Sequence, residues 1–218
     1  MLELLIVVAI IGLLVGILAP SLAWAMHSAK MAACQSNMSA MVKANHVYAA
    51  SNNEFFVLAG EDLNGANLKR WFGEREDVNA AFEPSPGSLS SYLPGVQIKA
   101  CPVFEGASNT AGQNADFEAG CGAYGYNDLY IGGSFGSYKD RRTMARDRSS
   151  RGYTKSAQSE DLNGEVVMFA DSAYFKSGEM MAYSFTHAPE WAPPGLGGSK
   201  PNPTIHFRHR GQAVVGWA

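Results

Sequence analysis

Charge is scarce in this chain. Asp, Glu, Lys and Arg make up 17% of its 218 residues, the net charge is −3, and no long run of one sign occurs. A nucleic-acid binder would call for a basic face, and none is legible. Cysteine is scarcer still, with only Cys34, Cys101 and Cys121. In an oxidising space three cysteines make one bridge and one free thiol, and three pairings stay open. The marks of common catalytic sites are missing as well. There is no G-x-S-x-G elbow and no phosphate loop. The histidines are His27, His46, His187, His206 and His209. His206 and His209 are three apart on an expected strand, so they point to opposite faces and share no metal. Asp171 beside Ser172 reads as a strand-end turn rather than a hydrolase carboxylate. The chain therefore reads as a non-enzyme with no cofactor and no nucleic-acid partner.

What is present is one long apolar stretch at the start. After Glu3 no charged residue appears until Lys30, and from Leu4 to Met26 only Ser21 is polar. As a helix that run is about 34 Å long, enough to cross a hydrocarbon core of about 30 Å. In lipid the backbone must satisfy its own hydrogen bonds, so the run should be helical. A cleaved signal peptide, with Ala23-Trp24-Ala25 as its site, fits poorly. The chain opens with an acid, lacks a basic n-region, and far exceeds an h-region of about 7–15 residues. Glu3 is costly at the edge of such a span, so its partner should be sought.

The helical pattern continues past the membrane. Cys34, Met38, Met41, Asn45, Tyr48 and Ala49 recur at spacings of three and four and so share one face. Lys30, Gln35, Ser39 and Lys43 lie opposite. One helix is expected from near Leu2 to about Ser51, bent at Pro20, where a backbone donor is lost.

Residues 53–163 read as a loop-rich region. Glu61-Asp62-Leu63-Asn64-Gly65 recurs as Glu160-Asp161-Leu162-Asn163-Gly164, and both runs are read as turns. Calcium at these runs is the alternative, weakened by the lack of spaced carboxylates. Ser88 to Pro94 suits a short helical turn, and Val96-Gln97-Ile98-Lys99 a short strand. Tyr138 to Ser156, with Lys139, Arg141, Arg142, Arg146, Arg148, Arg151 and Lys155, reads as a solvated loop; a patch for an acidic partner is the alternative.

The last part, 164–218, reads as an antiparallel sheet. Its expected strands are Glu165–Asp171, Met180–Phe185, Thr204–His209 and Gln212–Trp217, with a Pro/Gly loop from Pro189 to Pro203. The organisation is thus 1–26 for the span, 27–52 for the amphipathic half of the helix, 53–163 and 164–218. The fold class is α+β, with the helix packed on the C-terminal sheet.

The run from Glu3 to Leu14 resembles the N-terminal segment of type IV pilins and type II secretion pseudopilins. Met1 and Leu2 match the family's Leu-Ile, Glu3 its glutamate, and Pro20 falls where many pilins carry a helix-kinking proline. A large subgroup is matched further by Cys34-Gln35-Ser36-Asn37-Met38, Tyr48-Ala49, Cys101-Pro102 and Tyr124-Gly125-Tyr126-Asn127. That subgroup ends in a His, nine residues and Asp-Gly; His209 is followed by the nine residues Arg210 to Ala218.

The resemblance implies a pilin-like fold and a filament subunit, held in the bacterial inner membrane with its domain outside the cytoplasm. The implied partners are other copies or related pilins, the assembly machinery, and a prepilin peptidase that acts before N-terminal methylation. Glu3 would set subunit register by pairing with a neighbour's N-terminal amine. The leader, its Gly, Phe and Thr are absent, so the reading frame is expected to extend upstream of Met1, and past Ala218 into Asp-Gly. Gly12 and Gly16 form a small-x-x-x-small step for close helix approach. The expected disulfide is Cys101–Cys121, closing about 20 residues. The subgroup's cysteine positions imply Cys34–Cys101 instead. The other class of function is an exported enzyme or binding protein on an uncleaved signal anchor. The choice among pilus, secretion pseudopilus and DNA-uptake filament stays open.

Overall fold

A computed structural model describes residues 2–60, 66–78, 80–83, 85–86, 88–104, 120–128, 131–132, 166–176, 179–186 and 204–218. The two Glu-Asp-Leu-Asn-Gly runs, the basic segment from Tyr138 to Ser156, His187 and the Pro189–Pro203 loop lie outside the described residues.

The chain is α+β. Helix α1 runs from Leu2 to Ser51, 50 residues without a break. It continues through Pro20, whose missing N–H leaves the Gly16 carbonyl without its helical partner. Next to it the Ser21 hydroxyl donates back to the Ile17 carbonyl at 3.1 Å, which keeps the one polar side chain of the span satisfied. The helix ends where Asn53 and Glu54 take φ of 53° and 64°. The Asn52 side chain donates to the Tyr48 carbonyl at 2.8 Å, and the Glu54 N–H to the Ala49 carbonyl at 2.9 Å. Asn53 is suited to this because Asn tolerates left-handed backbone.

The expected stripe is the buried one. Cys34, Met38, Met41, Ala44, Asn45 and Ala49 are buried, Tyr48 is half-buried, and Lys30, Gln35, Ser39 and Lys43 are exposed. Each fully buried methionine contributes roughly 1.5–3 kcal/mol by leaving water.

The strands are short: β1 (Lys69–Arg70), β2 (Gly73–Glu74), β3 (Tyr124–Tyr126), β4 (Val167–Asp171), β5 (Ala173–Lys176), β6 (Glu179–Ala182) and β7 (Val215–Trp217). The main sheet is antiparallel in the order β3-β4-β7, while β1-β2 and β5-β6 form two-stranded ribbons. Strand β4 is central and buried from Met168 onward, so it reads as a continuous apolar run rather than an alternation. Strand β7 comes close to the helix at Gly216. A Cβ there would stand 2.7 Å from Val42 Cγ2, so only glycine permits this approach.

Three expectations need correction. The main sheet is not drawn only from residues beyond 164, since β3 comes from the middle region; Tyr124-Gly125-Tyr126 has the aromatic content a strand favours. Val96–Lys99 is not a strand, because Val96 has φ of 55° and the segment turns after the 3-10 turn Leu89–Tyr92. Thr204–His209 is not a strand either, and among the described residues it pairs through the bridge between Ser172 and Ile205.

The core is largely aromatic and centres on Trp71, which is fully buried. It touches Phe72, Tyr126 and Phe169 at ring separations of 5.1, 5.9 and 5.3 Å. Its indole N–H donates to the Ser184 carbonyl at 2.8 Å. Asn45 ties the helix into this core. Its amide donates to the Tyr126 hydroxyl at 3.1 Å, and its oxygen accepts from the Val57 N–H at 3.0 Å. The Tyr126 hydroxyl in turn donates to the Val57 carbonyl at 2.9 Å, while burial raises its pKa far above the ordinary phenol value.

Candidate functional site

The first half of α1 is a bare apolar rod. Every residue from Leu2 to Met26 is exposed, and the most apolar 18-residue window has a mean hydropathy of 2.9 with none of it buried. This helix is long and apolar enough to cross a membrane. A bare surface of this kind marks a membrane or protein contact rather than a soluble exterior. Glu3 sits in the first turn, where the helix dipole favours an acid. Around Gly12 and Gly16 nothing lies within 4 Å of where a Cβ would be, so their face of the helix is open.

The second feature is a buried polar cluster under the helix. Asp171, the last residue of β4, is fully buried and accepts from the Val214 N–H at 2.7 Å. His209 Nε2 lies 3.2 Å from one carboxylate oxygen and Arg208 Nε 3.8 Å from the other, with both partners' side chains almost wholly buried. Arg208 also donates to the Ala123 and Ser172 carbonyls at 2.8 and 2.7 Å, and its guanidinium lies over the Phe104 ring at 4.8 Å.

Burial raises the Asp171 carboxyl above its ordinary value, against the pull of the Val214 N–H, Arg208 and His209. Burial lowers His209 below 6.5 despite the attraction of Asp171, and lowers His206 in the same way. His209 is therefore neutral at pH 7 and carries its proton on Nε2, facing the carboxylate. Its Nδ1 is buried without a hydrogen-bond partner, which is tolerable for a bare lone pair and costly for an N–H. The cluster thus pins the segment after Thr204 to the end of β4.

The disulfide lies beside this cluster. Cys34 pairs with Cys101, at a Cα–Cα distance of 5.3 Å, and Cys121 is buried and stands outside this bridge. The expected Cys101–Cys121 pair is therefore corrected in favour of Cys34–Cys101. The expectation rested on both cysteines lying in the loop-rich region, and a longer loop stabilises at least as much. The helix decides otherwise, because its buried stripe carries Cys34 against Cys101, and the Asn37 side chain one turn on donates to the Lys99 carbonyl. Cys34, Cys101 and His209 place ligand atoms within 4.8 Å of one another, but both sulfurs are bonded together and offer no thiolate to a metal.

The site residues singled out from sequence that are described fall into three places. Glu3 and Pro20 lie on the bare rod, Cys34 and Cys101 clamp the helix to the domain, and His209 belongs to the buried cluster. His206 and His209 do not face opposite sides of a strand; both lie near Asp171, whose carbonyl accepts the His206 N–H at 2.9 Å. Asp171 is no mere turn residue. Its partnership with Arg208 was missed. The available signal was an acid closing an apolar strand in a chain whose C-terminal segment, His206-Phe207-Arg208-His209-Arg210, has bases and no acid. No protein-family model, curated protein or solved structure matches the chain.

Proposed function

We propose that the chain is a structural subunit, pilin or pseudopilin, of a type IV pilus or type II secretion-type filament. The observation that carries this reading is a division of labour within one helix. Its second half is fixed to the domain by a disulfide and by Asn45, while its first half is apolar, bare and headed by a single acid. A globular protein gains nothing from such a rod. A subunit that moves from lipid into a filament needs it twice.

Before assembly the rod is held in the bacterial inner membrane, with the domain outside the cytoplasm. On assembly it trades lipid contacts for contacts with other copies, so close packing and buried polar pairs must supply the stability. Glu3 is then buried. Its partner is the N-terminal amine of a neighbour in the processed protein, and a wrong register leaves the carboxylate alone at a cost of several kcal/mol. The partners are further copies, the inner-membrane assembly machinery and the prepilin peptidase. The pilin-like packing of helix on sheet follows from the same reading.

The test is Glu3→Ala in the full-length protein. Membrane insertion stays intact, since removing a charge eases it, while filament yield collapses. Normal filament yield from this variant would favour a plain signal anchor and sink the proposal.

A further inference from the structure

Among the described residues, the domain reaches toward the apolar rod at the turn from His209 to Gln212. These two residues exchange both backbone hydrogen bonds, at 3.0 and 3.1 Å, and the residues between them, Arg210 and Gly211, have φ of 53° and 81°. This is the geometry of a tight hairpin turn with two left-handed residues. The Arg210 guanidinium lies over the Trp24 ring at 4.7 Å, and the His209 ring meets the His27 ring at 6.4 Å. The disulfide at Cys34 and the Gly216 contact at Met38 and Val42 lie farther along the helix. Trp24 is ten residues, or about 15 Å, nearer the N-terminus than Cys34.

The surface at this level has the chemistry of a lipid-facing rim. Trp24 is 65% exposed and Phe207 62% exposed. Arg210, Gly211, Gln212 and Lys30 are exposed too. No acid occurs from Leu4 to Asn53 or from Thr204 to Ala218. Aromatic rings concentrate at the headgroup level of a bilayer, and basic side chains beside them attract anionic lipid. The turn is also held firm from behind, since Arg208 and His209 are tied to buried Asp171. Its tip therefore meets the bilayer without first having to be ordered.

We infer that this turn docks on the anionic phospholipid surface of the leaflet facing the domain. Phe207 enters the interface, and Arg210 with Lys30 meets lipid phosphates. The inference rests on the membrane-held reading of the helix. It adds a second footing for the domain, which fixes how the domain stands on the membrane before assembly and must be released when the rod leaves lipid.

The experiment uses the full chain in nanodiscs of phosphatidylcholine, with or without phosphatidylglycerol. A nitroxide label is placed by Gln212→Cys, and in a separate sample by Val78→Cys, another exposed site. Collision with a water-soluble nickel reagent reports exposure, and quenching of Trp fluorescence by brominated acyl chains reports insertion of the rod. In discs with phosphatidylglycerol the label at 212 should be shielded about fivefold relative to 78, the effect expected of one basic residue at an anionic surface. Arg210→Glu should abolish the shielding, and Arg210→Lys should keep it. Equal exposure at both sites, with the Trp signal quenched, overturns the docking and leaves the membrane reading standing. An unquenched Trp signal overturns both. Shielding that survives Arg210→Glu, or that needs several copies per disc, also overturns the inference, the last by assigning the turn to a second copy.

Discussion

Asp171→Ala tests the buried cluster most sharply. The carboxylate accepts from the Val214 N–H at 2.7 Å, lies 3.2 Å from His209 Nε2 and 3.8 Å from Arg208 Nε. Truncation leaves three groups stranded. Val214 loses its backbone acceptor in a buried place, at roughly 1–3 kcal/mol. Arg208 keeps a buried positive charge without its counter-ion, and breaking such a pair costs roughly 3–5 kcal/mol. Two carbonyls still accept from its guanidinium, and these terms overlap, so the total expected is about 4 kcal/mol. Asp171→Asn keeps the shape and one acceptor oxygen but removes the charge, and should cost less than the alanine variant. The assay is denaturant unfolding of the full chain in detergent with the disulfide intact, followed by fluorescence and near-ultraviolet circular dichroism, because Trp71 is fully buried. A change below about 0.5 kcal/mol, the range of ordinary surface substitutions, would refute the reasoning.

Other outcomes are as definite. Stability should fall between pH 7.5 and 5.5, because burial holds His206 and His209 below 6.5, so the unfolded chain takes up protons first as the pH drops. Asp171 acts in the opposite sense: its raised pKa makes the folded chain take up that proton first, which restores part of the loss at lower pH. A flat profile in urea midpoints between pH 7.5 and 5.5 would contradict the histidine shifts. Non-reducing peptide mapping should find a Cys34–Cys101 crosslink that leaves Cys121 out, and Cys34→Ser should cost about 4 kcal/mol, the chain-entropy figure for a closed loop of this length. Asn45→Ala should cost roughly 1–3 kcal/mol by stranding the buried Val57 N–H; a thermal midpoint within a degree of the parent would count against the tie.

Helix α1 was legible almost to the residue, because a continuous apolar run followed by a stripe at spacings of three and four has only one reading. The stop at Asn52-Asn53 was legible for a local reason too, since Asn53 tolerates left-handed backbone and the Asn52 side chain can reach a last-turn carbonyl. The pairing of Cys34 was not. It depends on where α1 sets its buried face against Cys101, which is a tertiary fact. The same holds for the site around His209. The histidine could be seen as a motif position, but its meaning lies in Asp171, 38 positions earlier, and in Arg208 beside it. Strand β3 escaped as a member of the main sheet because three residues give too little alternation, and Trp71 because a lone Trp-Phe pair does not announce a core centre.

The central claim is that the bare rod packs against other copies of itself. Its most direct measurement is cysteine crosslinking along the rod, at Ile11 and Leu14, in filaments sheared from cells that express the full-length protein with its assembly machinery. The account predicts crosslinked ladders in the sheared fraction that disappear with Glu3→Ala. A protein found only as a monomer in the membrane fraction, with both sites uncrosslinked in the presence of that machinery, would contradict it.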